Sequence, residues 1–293
     1  MLEQQLLNAL TLGSVYALFA LGFTLVFGVL AVINLSHGAV FMVGSYAALA
    51  LVTRLEAPLW AAMLGAMLVS GTLGLLVDVL ILRPLRARNA PHLIPMIATI
   101  GVGIMLTSTA QGLFGAELLR FPDGTLPAGE FVVGDVHVRA LEIAIVAIAF
   151  ALMAVLFAVL KRTQLGRALR AIAESPKAAW LLGINVERLF HVTSFAAAAL
   201  GGIAGVLIGL NFNAITPQMG QPILHKGIAA IILGGMGDIR GALFGGLFLG
   251  FAEVISKAYL SSQMGDAVAF GLLFLILLVR PSGLFGRKLE RKA

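Results

Sequence analysis

Few residues in this 293-residue chain have chemistry beyond packing, and they fall into three groups. The first is the stretch "SPKAAWLLGI", Ser175 to Ile184. Ser175 is a helix N-cap, its hydroxyl placed to accept from a free amide of the first turn. Pro176 occupies the first helical position, where no amide hydrogen is needed. Gly183 ends the helix, free to adopt φ > 0. Upstream, "LGRALRAIAE" is another short helical piece, with Arg170 and Glu174 spaced i, i+4 as a supporting pair. The apolar members Ala178, Ala179, Trp180 and Leu181 form a patch rimmed by charges. The chemistry is docking, with two occupants open: a partner protein or lipid headgroups under an amphipathic helix.

The second group comprises two polar breaks in oily sequence. "INLSHGA" carries Asn34, Ser36 and His37, with Gly38 permitting an irregular backbone. "GGMGDIRG" sets Gly234, Gly235, Gly237 and Gly241 around Asp238 and Arg240. Irregular backbone at membrane depth must be buried in protein or line a cavity, and broken helices that face a solute path are a transporter device. The competing reading makes both breaks surface turns and His37 a packing residue. The third group is ionisable residues inside apolar runs: Asp78, placed to pair with Arg83, and Glu253 with Lys257, an i, i+4 ion pair in the order helices favour.

Several chemistries are missing. There is no GxxxxGK[ST], so ATP has no phosphate-binding loop here. HExxH and GxSxG are absent too, and the polar groups are too scattered for an intramembrane hydrolase. No cysteine is present, which excludes disulfides and thiolate metal sites.

The elements that must position these groups are membrane spans. The chain is 60% apolar and 12% charged, and several runs of ~18 residues or more are almost free of charge. Spans are expected near 6–30, 38–53, 58–82, 93–114, 140–160, 189–210, a short 227–236, 242–259 and 265–279. The fold class is therefore an all-α polytopic membrane protein, a bundle of about 8–9 transmembrane helices with broken helices. It forms a single transmembrane domain over 1–293. The high pI of about 10.1 reflects topology and not nucleic acid. Loop 83–92, loop 161–188, Arg240 and the tail 280–293 hold most of the Lys and Arg, while Arg54, Arg120, Arg139, Lys226 and Lys257 fall on the other side. By the positive-inside bias the N-terminus is outside and the C-terminus cytoplasmic. The start, "MLEQQLLNAL", lacks the basic region of a cleaved signal peptide.

The largest outside loop, 115–139, contains "FVVGDVHV", two β-branched runs around Gly134-Asp135 that predict a small hairpin. It is either a docking surface or a lid over loop ends. "SHGAVFMVGSYAALALV" (36–52) pairs with "IRGALFGGLFLGFAEVI" (239–255), and "LILRPL" (80–85) with "LLVRPS" (277–282), an internal parallel repeat.

Three segments resemble one family. "GRALRAIAESPKAAWLLGINVERL", "VINLSHGAVFMVGSYAALAL" and "AAIILGGMGDIRGALFGGLFLGFAE" are similar to the signature segments of branched-chain amino acid ABC importer permeases of the LivH type. The likeness covers nearly the whole chain, from Leu6 to Gly286. It implies that Ser175–Ile184 is the coupling helix seated in a separate ATPase, through Ser175, Pro176, Ala178, Ala179, Leu182, Gly183 and Ile184, with Arg167, Arg170 and Glu174 beside them. It also implies that Asn34, Ser36, His37, Gly38, Gly235, Gly237 and Asp238 belong to the translocation path. The family's leading Glu-Ala-Ala is here Lys177-Ala178-Ala179, so the salt bridge of that acid lacks its residue.

The same resemblance implies a non-enzymatic subunit of the bacterial inner membrane that binds no cofactor. ATP and Mg would sit on two partner ATPases. A second related permease, a periplasmic binding protein and the bilayer complete the expected partners, with no nucleic acid. The solute implied is a branched-chain amino acid or a related small polar molecule. The alternative from a different class is an ion-coupled secondary transporter or channel.

Overall fold

The computed structural model describes residues 2–91, 93–122, 124–125, 129–133 and 136–286. Helices α1 (Leu2–Leu30), α2 (His37–Leu55) and α3 (Leu59–Val77) come first. A π turn (Asp78–Leu82) runs from α3 into the short α4 (Arg83–Ala87), followed by α5 (Leu93–Phe114). Strands β1 (Glu130–Val133) and β2 (Val136–Arg139) precede α6 (Ala140–Arg162), α7 (Gln164–Glu174) and α8 (Pro176–Leu181). The chain then forms α9 (Val186–Phe212), α10 (Gly220–Gly234), α11 (Ile239–Tyr259) and α12 (Met264–Val279). Among the described residues, seven helices are long and apolar enough to cross a membrane, and α12 is a shorter apolar helix. The protein is an all-α polytopic membrane protein.

The central helix is α1, with 89% of its most apolar window buried. It packs against α11, α9, α6 and α10, while α2 and α3 cover the far side of α9. The most apolar windows of α5 and α6 are only 28% and 22% buried, as helices facing hydrocarbon should be. Loops sort to two ends. One, the basic end, gathers α4, α7, α8 and the start of α9, where Arg83 and Arg86 meet Glu187. The other carries the hairpin, tied to α1 by a hydrogen bond from the His137 amide to Gln4 Oε1 (2.9 Å).

Lipid tails are as apolar as leucine, so close van der Waals contact must hold such a bundle together. Small residues allow it here. A Cβ on Gly44 would lie 2.4 Å from the carbonyl oxygen of Gly202, so α2 and α9 meet backbone to backbone. Gly246 and Gly250 of α11 sit equally close to Ala17 and Gly13 of α1.

The hairpin pairs antiparallel as the sequence indicates, with Glu130 opposite Arg139 and Val133 opposite Val136. Its turn, Gly134-Asp135, lies outside the described residues, as do Asp123 and the tail residues Arg287, Lys288, Arg291 and Lys292. The preceding part of the loop folds down as a lid. Leu119 and Ile215 exchange backbone hydrogen bonds, Phe121 is buried, and the Phe121 amide donates to Asn213 Oδ1.

The span expected at 227–236 takes a different form. It belongs to α10, which begins earlier, at Gly220, and has 15 residues. At 1.5 Å per residue that is roughly 22 Å, short of the ~30 Å hydrocarbon layer. At its other end α10 is closed by the tail: the amides of Leu284 and Phe285 donate to the carbonyls of Leu233 and Gly234. Phe285 stacks on Phe244 of α11 at 5.4 Å between ring centroids.

The packing sets a sharp contrast between two glycines. Gly44→Val should push α2 off the α9 backbone and cost more than about 3 kcal/mol, beyond ordinary overpacking. Gly101→Val on the exposed face of α5, where a Cβ meets nothing within 4 Å, should stay within about 0.5 kcal/mol for the isolated subunit. Thermal unfolding of both variants in detergent checks the difference.

Candidate functional site

The stretch 175–184 forms as the residues dictate. Ser175 accepts from the Ala178 amide at 3.3 Å, Pro176 starts α8, and Gly183 adopts φ +81° beyond it. The Ile184 amide then returns to the Ala179 carbonyl, which turns the chain into α9 under an Asn185 cap. The patch differs from expectation in one member. Ala179 is 1% exposed and joins Leu169, Ile172, Leu30 and Phe190 in a small core of its own at the basic end. Its methyl is the seat of α8 and not part of the exposed face. Trp180, Leu181 and Leu182 are 67%, 71% and 79% exposed, a run of apolar surface on a firm base.

The helix α7 holds this base. Arg170 does not pair with Glu174: its guanidinium donates to the carbonyl of Leu160 at the end of α6. A free carbonyl at a helix C-terminus is a stronger claim on the cation than an exposed glutamate. Arg167, Glu174, Pro176 and Lys177 remain exposed around α8. Beside it, a groove of about 530 Å³ runs along Pro176, Trp180, Ile184, Asn185 and Glu187.

The first polar break lies deep in the bundle. His37, the first residue of α2, is 1% exposed and packs at 4.7 Å and 5.6 Å, ring to ring, on Phe19 and Phe23. It also faces Gly22 in the middle of α1 and Gly201 in the middle of α9. The surface-turn reading therefore fails for this break. Residues 31–36 double back along the last turns of α1, and α2 starts about halfway through. Asn34 Oδ1 accepts from both the amide (3.1 Å) and the hydroxyl (2.6 Å) of Ser36. The Leu35 amide donates to Thr99 Oγ1 on α5. Sequence reading passed over Thr99, since a lone threonine in an apolar helix carries no signal of its partner.

The start of α10 meets the start of α2. A Cβ on Gly220 would fall 2.0 Å from the Gly38 carbonyl oxygen. The gap beside them, lined by Gly38, Gly220, Gln221 and Thr107, holds about 10 Å³, roughly one water's probe sphere. His37 Nε2 is buried without a hydrogen-bond partner. Gly235, Gly237 and Asp238 are not brought to this place. Gly237 lies against Gly28, two turns further along α1 toward the basic end. Asp238 caps α11 by accepting from the Gly241 amide at 2.9 Å, and Gly235 is covered by the tail at Gly283 and Gly286.

Two buried charge clusters complete the picture. At the basic end Asp78 is fully buried, and its partners are Arg86 (2.7 Å) and His191 Nδ1 (2.6 Å). Arg83, the expected partner, reaches Glu187 instead at 3.3 Å. Arg86, four residues beyond the π turn, is the residue that returns to Asp78. Toward the hairpin end Glu253 is the hub of a larger cluster. Lys257 reaches it at 2.6 Å, as its i, i+4 spacing predicts, and Lys226 at 2.8 Å. Tyr16 donates to its other oxygen at 2.9 Å, and Lys226 also meets Asp266 at 3.0 Å. Lys226, assigned to an outside loop by sequence, is thus a buried residue of α10. The cluster ties together α1, α10, α11 and α12.

The comparisons with known proteins come to the same place. A family model described as "Branched-chain amino acid transport system / permease component" matches residues 5–277. The high-affinity branched-chain amino acid transport system permease protein BraD of Pseudomonas aeruginosa is 40% identical, across 97% of this chain and 95% of BraD. The corresponding LivH of Escherichia coli K12 is 37% identical with the same coverage. The ribose import permease protein RbsC of Haemophilus influenzae is 26% identical across 97% of this chain and 87% of RbsC.

Removing one charge from the Glu253 cluster should expose its cost. Glu253→Gln leaves Lys226 without its closest counter-ion in the interior and should destabilise the protein by about 3–5 kcal/mol. Adding Lys226→Met to that variant should recover much of the loss, because no buried charge then lacks a partner. Thermal unfolding of the single and double variants in detergent measures both.

Proposed function

Since this chain belongs to the branched-chain amino acid transport system permease family, we propose that it is the membrane-spanning subunit of an ATP-driven importer for branched-chain amino acids. The observation that carries the mechanism is α8: Trp180, Leu181 and Leu182 are presented to solvent by a helix whose own core is built on Ala179. Bare apolar surface of this kind is a protein-binding face, and the occupant is an ATPase subunit. Lys177 takes no part in an ion pair among the described residues, which fits docking by shape and apolar contact.

The importer has two ATPase subunits, a second related permease and an extracytoplasmic binding protein. ATP and Mg are bound by the ATPases and not by this chain, whose work is mechanical. The N-terminus lies outside and the basic end faces the cytoplasm, because loops 83–92 and 161–188 concentrate the positive charge. The membrane is then the bacterial inner membrane. Binding of ATP draws the ATPases together and pulls on α8, and the α7–α8 core transmits that pull to α1 and α9, which share it.

The translocation path opens where α2 and α10 start. Two helix beginnings meet at mid-depth, the kind of break that lines a solute path in transporters. The ~10 Å³ gap at Gly38 and Gly220 is too small for anything beyond a water, so this conformation is shut there. Asn34 and Ser36 hold the bend, and His37 wedges between α1 and α9. Loop 115–139 and the α9–α10 connection, joined by the Leu119–Ile215 bridge, form the face that receives the binding protein. The 26% identity to a ribose permease fits a division of labour in which much of the solute choice is made before the permease.

The test is co-purification from the native membrane in mild detergent, with mass spectrometry of the bound subunits. Two ATPases and a second permease are expected. Proline at Gly183 forbids its φ of +81° and removes the amide that donates to Trp180. Gly183→Pro should therefore abolish ATPase co-purification while leaving the chain inserted, and normal assembly of that variant would refute the docking role. His37→Ala should keep the complex intact and lower reconstituted transport about tenfold or more, on the order of one lost positioning contact in a path. Unchanged transport at equal expression would reduce His37 to packing.

A further inference from the structure

A second cavity opens at the hairpin end, between α1, α6, α9 and α11, and nothing said so far uses it. It holds about 390 Å³, at the small end of ligand pockets and ample for a single amino acid. Its polar lining comes from four helices or their caps: Gln5 and Asn8, Arg139 and Glu142, Asn211, and Lys257. Leu12 and Val254 supply an apolar wall.

These groups have bonding capacity left over. Glu142 is 5% exposed at its side chain, and its Oε1 takes the Arg139 guanidinium at 2.7 Å. Among the described residues its Oε2 accepts only the Arg139 amide, at 3.3 Å. Lys257 spends one contact on Glu253, at 2.6 Å, out of an ammonium's three donors. Among the described residues the side chains of Gln5 and Asn211 make no hydrogen bond, and Asn8 uses only its oxygen, toward Gln4. A cation and a carboxylate on different helices, with free amides and apolar side chains in the same lining, match a zwitterion with a hydrocarbon side chain. A sugar would leave both charges without a counter-charge.

We propose that this pocket binds a free apolar α-amino acid, its carboxylate on Lys257 and Arg139, its ammonium on Glu142, and its side chain along Leu12 and Val254. The site deepens the importer reading and rests on it: it is where solute released outside first meets the permease. Lys257 also touches Glu253, the hub that holds Lys226 of α10. A carboxylate arriving at Lys257 therefore lies one contact away from the carboxylate that fastens α10 through Lys226.

The experiment uses the purified importer, with the subunits it retains and without binding protein, and follows thermal unfolding in millimolar L-leucine, L-leucinamide or N-acetyl-L-leucine. A ligand that binds only the folded state raises the midpoint. Leucine should raise it, and the two analogues, each missing one charge, should do so far less. Lys257→Gln should bring leucine down to the level of leucinamide, a loss of about tenfold or more in apparent affinity, as for a charge-assisted contact. Asn8→Leu, which leaves every ion pair in place, should also weaken the leucine shift. Equal shifts for the three compounds, no leucine shift at all, or a leucine shift unchanged in both variants would overturn the pocket. Leucine uptake by the same preparations, reconstituted with binding protein, separates the two claims. Uptake without a pocket effect overturns this site alone, and an importer that moves no zwitterionic amino acid overturns both.

Discussion

The irregular backbone that leads into α2 lies in the middle of the bundle, and the neighbouring elements are arranged around that fact. Backbone groups in a membrane interior must find partners inside the protein. Here Asn34 folds back on Ser36, Thr99 of α5 takes the Leu35 amide, and His37 fills the space between the phenylalanines of α1. Each partner comes from a helix that must be close, which explains the glycines. Without Gly22 and Gly201, His37 would have no room, and without Gly38 and Gly220 the two helix starts would be held apart. A broken helix in lipid is tolerable only in so tight a setting.

The same logic governs the charges. A buried ion pair contributes little net stability, because desolvation offsets most of its attraction. Its value lies in what it forbids. Lys226 cannot move away from Glu253 without stranding a charge in an apolar surround, so α10 is fixed in register against α11. Asp78 does likewise at the opposite end, holding the π turn to α9 through His191 and to α4 through Arg86. Two polar clamps thus bracket an otherwise apolar bundle. Between them the helices are held by shape, which permits sliding where the clamps permit it.

Much of this was legible in sequence because it is local. Span length and apolarity predicted about 8–9 crossing helices, of which seven are long enough to cross while α10 and α12 are shorter; Ser175, Pro176 and Gly183 bounded α8, and the β-branched runs around the hairpin turn gave two strands. Glu253 and Lys257 are neighbours on one helix, and their contact follows from spacing. What stayed hidden depends on contacts across the chain. Lys226 read as a loop residue because its partner, Glu253, is 27 positions away. The depth of His37 could not be inferred from "INLSHGA", since a surface turn and a mid-membrane break share the same polar residues. Ala179 looked exposed because an amphipathic helix of six residues is too short to show which side faces a core built by α1, the π turn, α6, α7 and α9.

The closure of α10 by the tail bears on biogenesis. This helix is short, and it carries a buried lysine, a poor substrate for insertion on its own. Its counter-charge, Glu253, is synthesised later, and the amides that close its last carbonyls belong to Leu284 and Phe285, beyond α12. While the ribosome is still adding α11, α10 has neither, and until the segment after α12 is made it lacks the second. It must wait at the membrane surface or in the translocation machinery as an unfinished element, settling only when the segment through Phe285 has been made. A nonsense or frameshift lesion between α12 and Leu284 would then leave a chain with all its long spans inserted and its mid-depth helix unsecured, a product for quality-control proteolysis rather than a slightly shortened permease.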